Sequence, residues 1–334
     1  METKDILNTP VDPFRVEPGS ALSDVLERMG RISFQGRNLS LAYRVWLNML
    51  QDEATIFFGL AGAMVPAGMR RIVVYLIENR LVDCIVSTGA NLFHDVHETL
   101  GRYHYMGSAH ADDTALKDLG VDRIYDTYAV EEEFYKADQF VANVGAGLLD
   151  RPYSTREFLA LLGERLNEVG GERGILSAAA EHGVPIYCPA ISDSSLGIAL
   201  SILDANEGKK FQFDMVKDVT ESARLAMAAK NTGVIYVGGG TPKNFIQQTE
   251  VTASYIGGGV EGHKYAVQFT ADAPHWGGLS GCTFEEAQSW GKIHKEARMA
   301  SVHVDSTIAL PIVVSGLAEK QEVWKGRKLP EFQF

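Results

Sequence analysis

Three cysteines, Cys84, Cys188 and Cys282, are all that this 334-residue chain holds. Their odd number, wide spacing and apolar neighbours ("DCIVST", "PIYCPA") exclude a disulfide framework and read as reduced core thiols. Nowhere do 18 uncharged apolar residues run together. The opening "METKDILNTPVDPFRVEPGS" carries early acids and no apolar segment, so neither a membrane span nor an export signal is expected, and the expected location is the cytoplasm. Lys and Arg total 31 against 43 Asp and Glu, a formal charge of −12, and no block of consecutive bases occurs. A track for phosphate backbones is therefore missing, and nucleic acid is not an expected partner. An acidic surface does draw in small cations, polyamines among them, although the same charge also serves plain solubility. The glycines at the strand ends lack G-x-G-x-x-G spacing, and no H-E-x-x-H string occurs.

What the chain does have is alternation. Short β-rich apolar runs occur at 54–60 ("ATIFFGL"), 82–88 ("VDCIVST"), 184–190 ("VPIYCPA"), 232–240 ("TGVIYVGGG"), 265–270 ("YAVQFT") and 301–306 ("SVHVDS"). They suit buried parallel strands. Between them lie amphipathic stretches. Ala67 to Asn79 carries Met69, Ile72, Val73, Leu76 and Ile77 on one face, and Ser154 to Val169 carries Phe158, Leu161, Leu162 and Leu166. The pattern predicts an α/β fold: a single large Rossmann-like, doubly wound, mostly parallel sheet with helices on both faces and ligand sites beyond the strand C-termini. Residues 1–20, with three prolines, read as an N-terminal arm, and 21–334 as one domain.

Strand ends in this sequence are rich in small and hydroxylated residues: Thr88-Gly89-Ala90-Asn91, Gly238-Gly239-Gly240-Thr241, Thr270-Ala271 and Asp305-Ser306. Missing side chains would let backbone N–H groups approach a pyrophosphate, with a helix starting near Asn91 directing its positive end at the anion. Tight turns need glycine for steric reasons too. Asp193 and Asp305 follow strands, where a carboxylate accepts ribose hydroxyls or caps a helix.

The segment "GCTFEEAQSWGKIHKEARM" holds a capping-box pair, Thr283 and Glu286, predicting a helix from 283 that carries Trp290 and Lys292, with Gly291 an unfavourable interior residue. Helical lysines are usually solvated. As a nucleophile Lys292 needs a neutral amine, hence desolvation, for which Trp290 is at hand, and by residue type alone Lys243, Lys264 and Lys295 compete with it. His94, His97, His104 and His110, with Asp112 and Asp113, invite a metal reading. Their irregular spacing favours a polar lid over the nucleotide rim instead, and no metal site is expected.

Together these strings resemble the deoxyhypusine synthase family from about residue 45 to 315. "SWGKI" resembles its active-site lysine motif, "STGAN" its first NAD turn, "CPAISDSSLG" its Pro-Ala-x-x-Asp-x-Ser-Leu-Gly segment and "VGGGTPKN" its triple-glycine turn, while "FTADAP" and "VHVDS" complete the rim. The resemblance implies NAD held by Gly62, Thr88, Gly89, Ala90, Asp193, Gly239, Thr270, Ala271, Asp305 and Ser306, with Lys292 as the covalent residue. His94, Glu286, Trp290 and Asn244 would face the substrate. It further implies homotetramers with sites at a subunit interface, and aminobutyl transfer from a polyamine through a lysine imine.

Departures from the family pattern are specific. Phe93 and His94 stand where two glutamates are usual, Ile198 and Leu279 where aspartates are, and Asn244 where a histidine is. Such a chain resembles the bacterial deoxyhypusine synthase-like branch, for which a small-amine acceptor, as in homospermidine synthesis, is the expectation. A deoxyhypusine synthase acting on a protein lysine and a catalytically silent NAD- or polyamine-binding protein are the alternatives. His94, Asp95, Asp112, Asp113, Asp272 and His275 are the candidates to replace the missing acids.

Overall fold

The structure is a computed structural model and describes residues 7–148 and 150–334, the side chain of Glu207 excepted. Residues 1–6 of the expected arm lie outside the described residues; 7–20 form neither helix nor strand. Asp12 N–H donates to the Arg31 carbonyl at 3.1 Å.

Six strands form the main sheet: β1 (Thr55–Leu60), β2 (Cys84–Ser87), β6 (Ile186–Tyr187), β7 (Thr232–Val237), β8 (His263–Thr270) and β9 (Ile293–His303). All pair in parallel, in the spatial order β6-β2-β1-β7-β8-β9. Counted along the chain that is 3-2-1-4-5-6, the doubly wound dinucleotide order, whose switch point lies between β1 and β7. Every apolar run expected to be a strand contributes one.

Strand residues alternate between two cores, because successive side chains leave a strand on opposite faces. Ile56, Phe58, Leu60, Ile85, Ile235, Val237, Val267 and Phe269 join one core with helices α1 (Leu22–Met29), α2 (Phe34–Gln51), α3 (Arg70–Glu78), α4 (Gly89–Thr99), α6 (Glu131–Ala146), α7 (Thr155–Val169), α8 (Ile175–His182), α9 (Ser195–Glu207) and α13 (Ser306–Ala318). Phe57, Cys84, Val86, Tyr187, Val234 and Tyr236 join the other, with α10 (Met215–Ala228), α11 (Gly240–Tyr255) and α12 (Phe284–Ser289). Helices on both faces follow. A capping box starts α7, Glu157 N–H donating to Ser154 Oγ at 3.1 Å and Ser154 N–H to Glu157 Oε2 at 2.9 Å.

One element had no counterpart in the sequence reading. Between α4 and α6 a three-stranded antiparallel sheet forms from β3 (Tyr105–Met106), β4 (Val121–Ile124) and β5 (Thr127–Val130), with α5 (Asp113–Asp118) beside it. β4 and β5 close on a two-residue turn, Tyr125-Asp126, with Tyr125 at φ +54°. The pair is neither Asn-Gly nor Asp-Gly, so the hairpin lacked the usual two-residue turn signal.

Candidate active site

The rim builds on strand ends as the alternation implies. Asn91 ties two of its turns together. Its Nδ2 donates to the carbonyls of Leu60 (3.3 Å), Ala61 (3.4 Å) and Gly62 (3.1 Å), while its Oδ1 accepts from Met64 N–H (2.7 Å) and Val65 N–H (3.2 Å). Thr88 caps α4 and donates its hydroxyl to the Gly62 carbonyl at 2.8 Å. Both lone pairs and both amide protons of Asn91 are thus committed to loop shape, a role that its place in the sequence, three residues after the capping Thr88, only hinted at.

Two rim glycines have steric causes within the protein. A Cβ on Gly89 would stand 2.2 Å from Ser194 Oγ, and one on Gly239 would stand 2.4 Å from the Ser280 Cα. Gly240, by contrast, opens α11 at φ +54° with nothing within 4 Å of its would-be Cβ. Open backbone at the start of a 16-residue helix, at the switch point, is the cradle a dinucleotide phosphate needs.

The two carboxylates behave differently. Asp305 caps α13, its Oδ1 accepting from Thr307 N–H and Oγ1–H, both at 2.7 Å, and these bonds hold its carboxyl below the usual range. Asp193 is exposed, and the N-cap of α9 is its neighbour Ser194. Capping therefore accounts for Asp305 and leaves Asp193 unexplained by structure. Thr270 (buried), Ala271 (exposed) and Ser306 (9% exposed) finish the rim at the ends of β8 and β9.

The lysine segment folds differently from the expectation. Helix α12 starts as predicted, Glu286 N–H donating to Thr283 Oγ1 at 3.1 Å, but it ends at Ser289. Gly291 adopts φ +68° and Lys292 N–H returns to the Ala287 carbonyl at 3.1 Å, so the glycine terminates the helix instead of interrupting it. Lys292 then begins a strand: its carbonyl accepts from His263 N–H at 3.1 Å, where β8 starts. The half-buried Lys292 holds its Nζ 5.5 Å from the ring centre of Trp290, itself 68% exposed, a cation–π distance.

Lys292 and the Asp305–Ser306 part of the rim flank opposite ends of β9, so their backbones stand roughly 23 Å apart, the length of β8 beside it. What lies between is Lys243, on the first turn of α11, which sequence reasoning named only as a competitor. It is 1% exposed and donates to Gln268 Oε1 at 2.9 Å and to the Cys282 carbonyl. Burial first, and the charge of nearby Lys292 against it, push its amine down to about 8. Gln268 Nε2 in turn donates to the Gly238 (2.8 Å) and Ser280 (2.9 Å) carbonyls, so the triple-glycine turn, the loop after β8 and the lysine cluster are one bonded unit. Asn244 sits half-buried next to Lys243, and Glu286 is exposed beside Cys282, which is half-buried while the other two thiols are fully buried.

The six candidate replacement acids and histidines do not assemble. Asp95 is buried against Arg70, Asp112 caps α5, Asp113 pairs with Arg123, Asp272 N–H donates to Thr270 Oγ1, and His275 packs on Trp276. His94 instead meets His104, ring centres 4.8 Å apart. Among the described residues no three His, Cys, Asp or Glu side chains are placed to hold a metal ion, and no helix is long and apolar enough to cross a membrane.

The family model for deoxyhypusine synthase matches residues 24–317. The chain belongs to the deoxyhypusine synthase family. Among its relatives is a protein named "Probable deoxyhypusine synthase 2" from Methanosarcina mazei, 52% identical over 98% of this chain and 94% of the relative. One of the same name from Archaeoglobus fulgidus is 50% identical over 86% of this chain and 95% of the relative. The crystal structure of an Entamoeba histolytica protein assigned as a deoxyhypusine synthase shares the fold at a TM-score of 0.62 and 17% identity, covering 92% of this chain and 96% of that one.

Deoxyhypusine synthases are transferases that move an aminobutyl group from spermidine with NAD, and the residues present fit that cofactor. Gly240 leaves its helix terminus open and Asp193 is a free carboxylate past β6. At the deoxyhypusine synthase positions where acids are usual, Ile198 and Leu279 are 57% and 49% exposed, and Phe93 is buried against Phe134 with ring centres 5.5 Å apart. None of the three can pair an ammonium.

Proposed function

We propose that this protein transfers the aminobutyl group of a polyamine to a small amine acceptor through an imine on Lys292, in the manner of a homospermidine synthase, as a cytoplasmic homotetramer. The observation that carries the reading is the presence of apolar Phe93, Ile198 and Leu279 at positions where cation-pairing acids are usual, in a chain that retains Lys292. Each desolvated ammonium needs a partner, so a pocket with fewer carboxylates binds a different set of amines.

In this reading Gly62, Thr88, Gly89, Ala90, Gly239, Thr270, Ala271 and Ser306 hold NAD with backbone and hydroxyl groups, and Asp193 and Asp305 accept its ribose hydroxyls. NAD, when bound, takes up and returns the hydride. The Lys292 amine, uncharged, attacks the oxidised carbon as the bond from that carbon to the rest of the polyamine breaks and the remaining diamine leaves, so the butyl unit stays covalently held and no aldehyde escapes to water. Trp290 faces the cationic chain, with Glu286, His94 and Asn244 around it.

Lys292 precedes β9 whereas Asp305–Ser306 follow it and Asp193 follows β6 at the far edge of the sheet, a separation that supports a composite site in which the partner subunit supplies those parts of the rim to the lysine. Exposed apolar side chains on both sides, Trp276, Leu279 and Trp290 near the lysine and Tyr103, Met106 and Ile308 near the rim, have the composition of an interface core.

A second reading, modification of a protein lysine, is favoured by the names of the archaeal relatives. One assay separates the two. Incubation with NAD, labelled spermidine and putrescine, followed by amine chromatography, yields labelled homospermidine under the first reading, whereas label on a macromolecule sinks it. Lys292→Arg abolishes transfer, by ~10³-fold or more for loss of a covalent residue, and retains NAD binding.

A further inference from the structure

Helix α4 and the loop after it tie His94 into an array whose other members, His104 and Glu98, have no part in the reaction described above. Glu98 Oε1 lies 2.7 Å from His104 Nδ1, and His104 Nε2 lies 2.9 Å from His94 Nδ1. The Arg70 guanidinium, itself 4% exposed, lies 3.6 Å from Glu98 Oε2. Such an arrangement has a direction. A carboxylate only accepts, so His104 carries its proton on Nδ1 and offers a lone pair at Nε2. His94 must then carry its proton on Nδ1, which leaves Nε2 bare. Orientation of one imidazole by a carboxylate is the logic of the hydrolase triad, here extended through a second ring with the part-buried Glu98 as the carboxylate.

Position gives that bare nitrogen a use. His94 stands one helical turn beyond Ala90, on the same face of α4 as that half-exposed rim residue. His104 lines a cleft of about 410 Å³ with Pro66, Gly68, Met106 and Thr307, the last bonded to Asp305 of the rim. Groups facing the rings are His97 and Glu98 from α4, Arg102 from the loop, Arg70 from α3 and the uncharged Phe134 from α6, whose ring centre is 5.4 Å from that of His94. Burial, then His104 and His97, push His94 down to about 3, so its ring is neutral at physiological pH.

We propose that Glu98, His104 and His94 form a polarised relay which presents His94 Nε2 as an acceptor for an N–H of the cationic amine, in place of the carboxylate usual there. Proton transfer through it balances. The ammonium gives a proton to His94 Nε2, the Nδ1 proton of His94 passes to His104 Nε2, and the Nδ1 proton of His104 passes to Glu98. A neutral amine and a neutral carboxylic acid result. His94 is the substrate-facing group, and His104 and Glu98 are positioning residues. The inference rests on the amine-transfer reading above.

Glu98→Gln is the decisive variant, because a glutamine amide can donate to His104 Nδ1 and so reverse both rings, turning His94 Nε2 into a donor. Histidine-selective ¹⁵N NMR of the full-length protein reads the tautomers directly. The expectation is a bare His94 Nε2 in wild type, shifted by spermidine without NAD, and a protonated one in Glu98→Gln. With NAD present, KM for the amine rises roughly tenfold or more, the scale of a lost charge-assisted hydrogen bond. The alkaline shift of the pH optimum and the unchanged thermal midpoint distinguish this from structural damage. A wild-type proton on His94 Nε2, or an unaltered KM in Glu98→Gln, overturns the relay. Absence of turnover with every amine, together with a spermidine-induced shift at His94 Nε2, overturns the transfer reading and leaves the relay standing.

Discussion

Replacing Asp95 by alanine should be the most damaging single change in α4, and the cost can be worked from its contacts. The carboxylate is fully buried and accepts from Arg70 Nε (2.8 Å), Ile175 N–H (2.7 Å) and Leu176 N–H (2.9 Å). The last two are the first free N–H groups of α8, whose own N-cap is Gly174. A side chain there is impossible, since a Cβ would meet Thr99 Oγ1 at 2.2 Å and Asp95 Oδ1 at 2.5 Å. Asp95 is thus the cap of a helix that cannot cap itself. Its removal loses a cap, worth ~0.5–2 kcal/mol, and strands a buried guanidinium, a loss of ~3–5 kcal/mol for a broken buried pair. Because Arg70 keeps Thr99 Oγ1 (2.7 Å) and the Glu172 carbonyl (3.1 Å), the combined effect should be about 4 kcal/mol. Urea unfolding followed by circular dichroism measures it. A loss below about 1 kcal/mol would refute the reasoning, and the double variant Arg70→Met, Asp95→Leu should lose less than the two single changes added together.

Lys243 makes a prediction of opposite sign to most buried ion pairs. With its amine pushed down to about 8 in the folded chain and ordinary when unfolded, the unfolded chain binds the extra proton between about pH 8 and 10.5. Stability should therefore rise with pH across that window, by about 3 kcal/mol, and Lys243→Met should flatten the rise; parallel curves for the two proteins would exclude it. Subunit mixing tests the composite site: Lys292→Arg and Asp193→Ala, each inactive alone, should recover about a quarter of wild-type turnover when refolded together at equal amounts, since half of the mixed two-fold pairs' sites are then intact. No recovery would place lysine and rim of one site on the same chain.

Which parts of this were legible in the sequence depends on range. The six strands were readable because burial on both faces writes an unbroken apolar run, and the rim because turns at strand ends need small residues locally. Thr283 announced its helix within four residues. Gly291 was misjudged: whether a glycine interrupts a helix or ends it depends on whether the backbone turns left-handed, and the partner that decides this, the Ala287 carbonyl, is shared by both outcomes. The hairpin at 121–130 carried no Asn-Gly or Asp-Gly pair to announce it.

Composition, strand pattern and motif order were therefore enough to determine the fold class and the family. Only the tertiary structure decided that Lys243 is buried, that Asp95 serves α8 and not a substrate, and that His94 meets His104 and not Asp112 or His275. The reason is physical: a hydrophobic period or a cap is a property of neighbours along the chain, whereas desolvation and proton direction come from groups that share a volume only after folding.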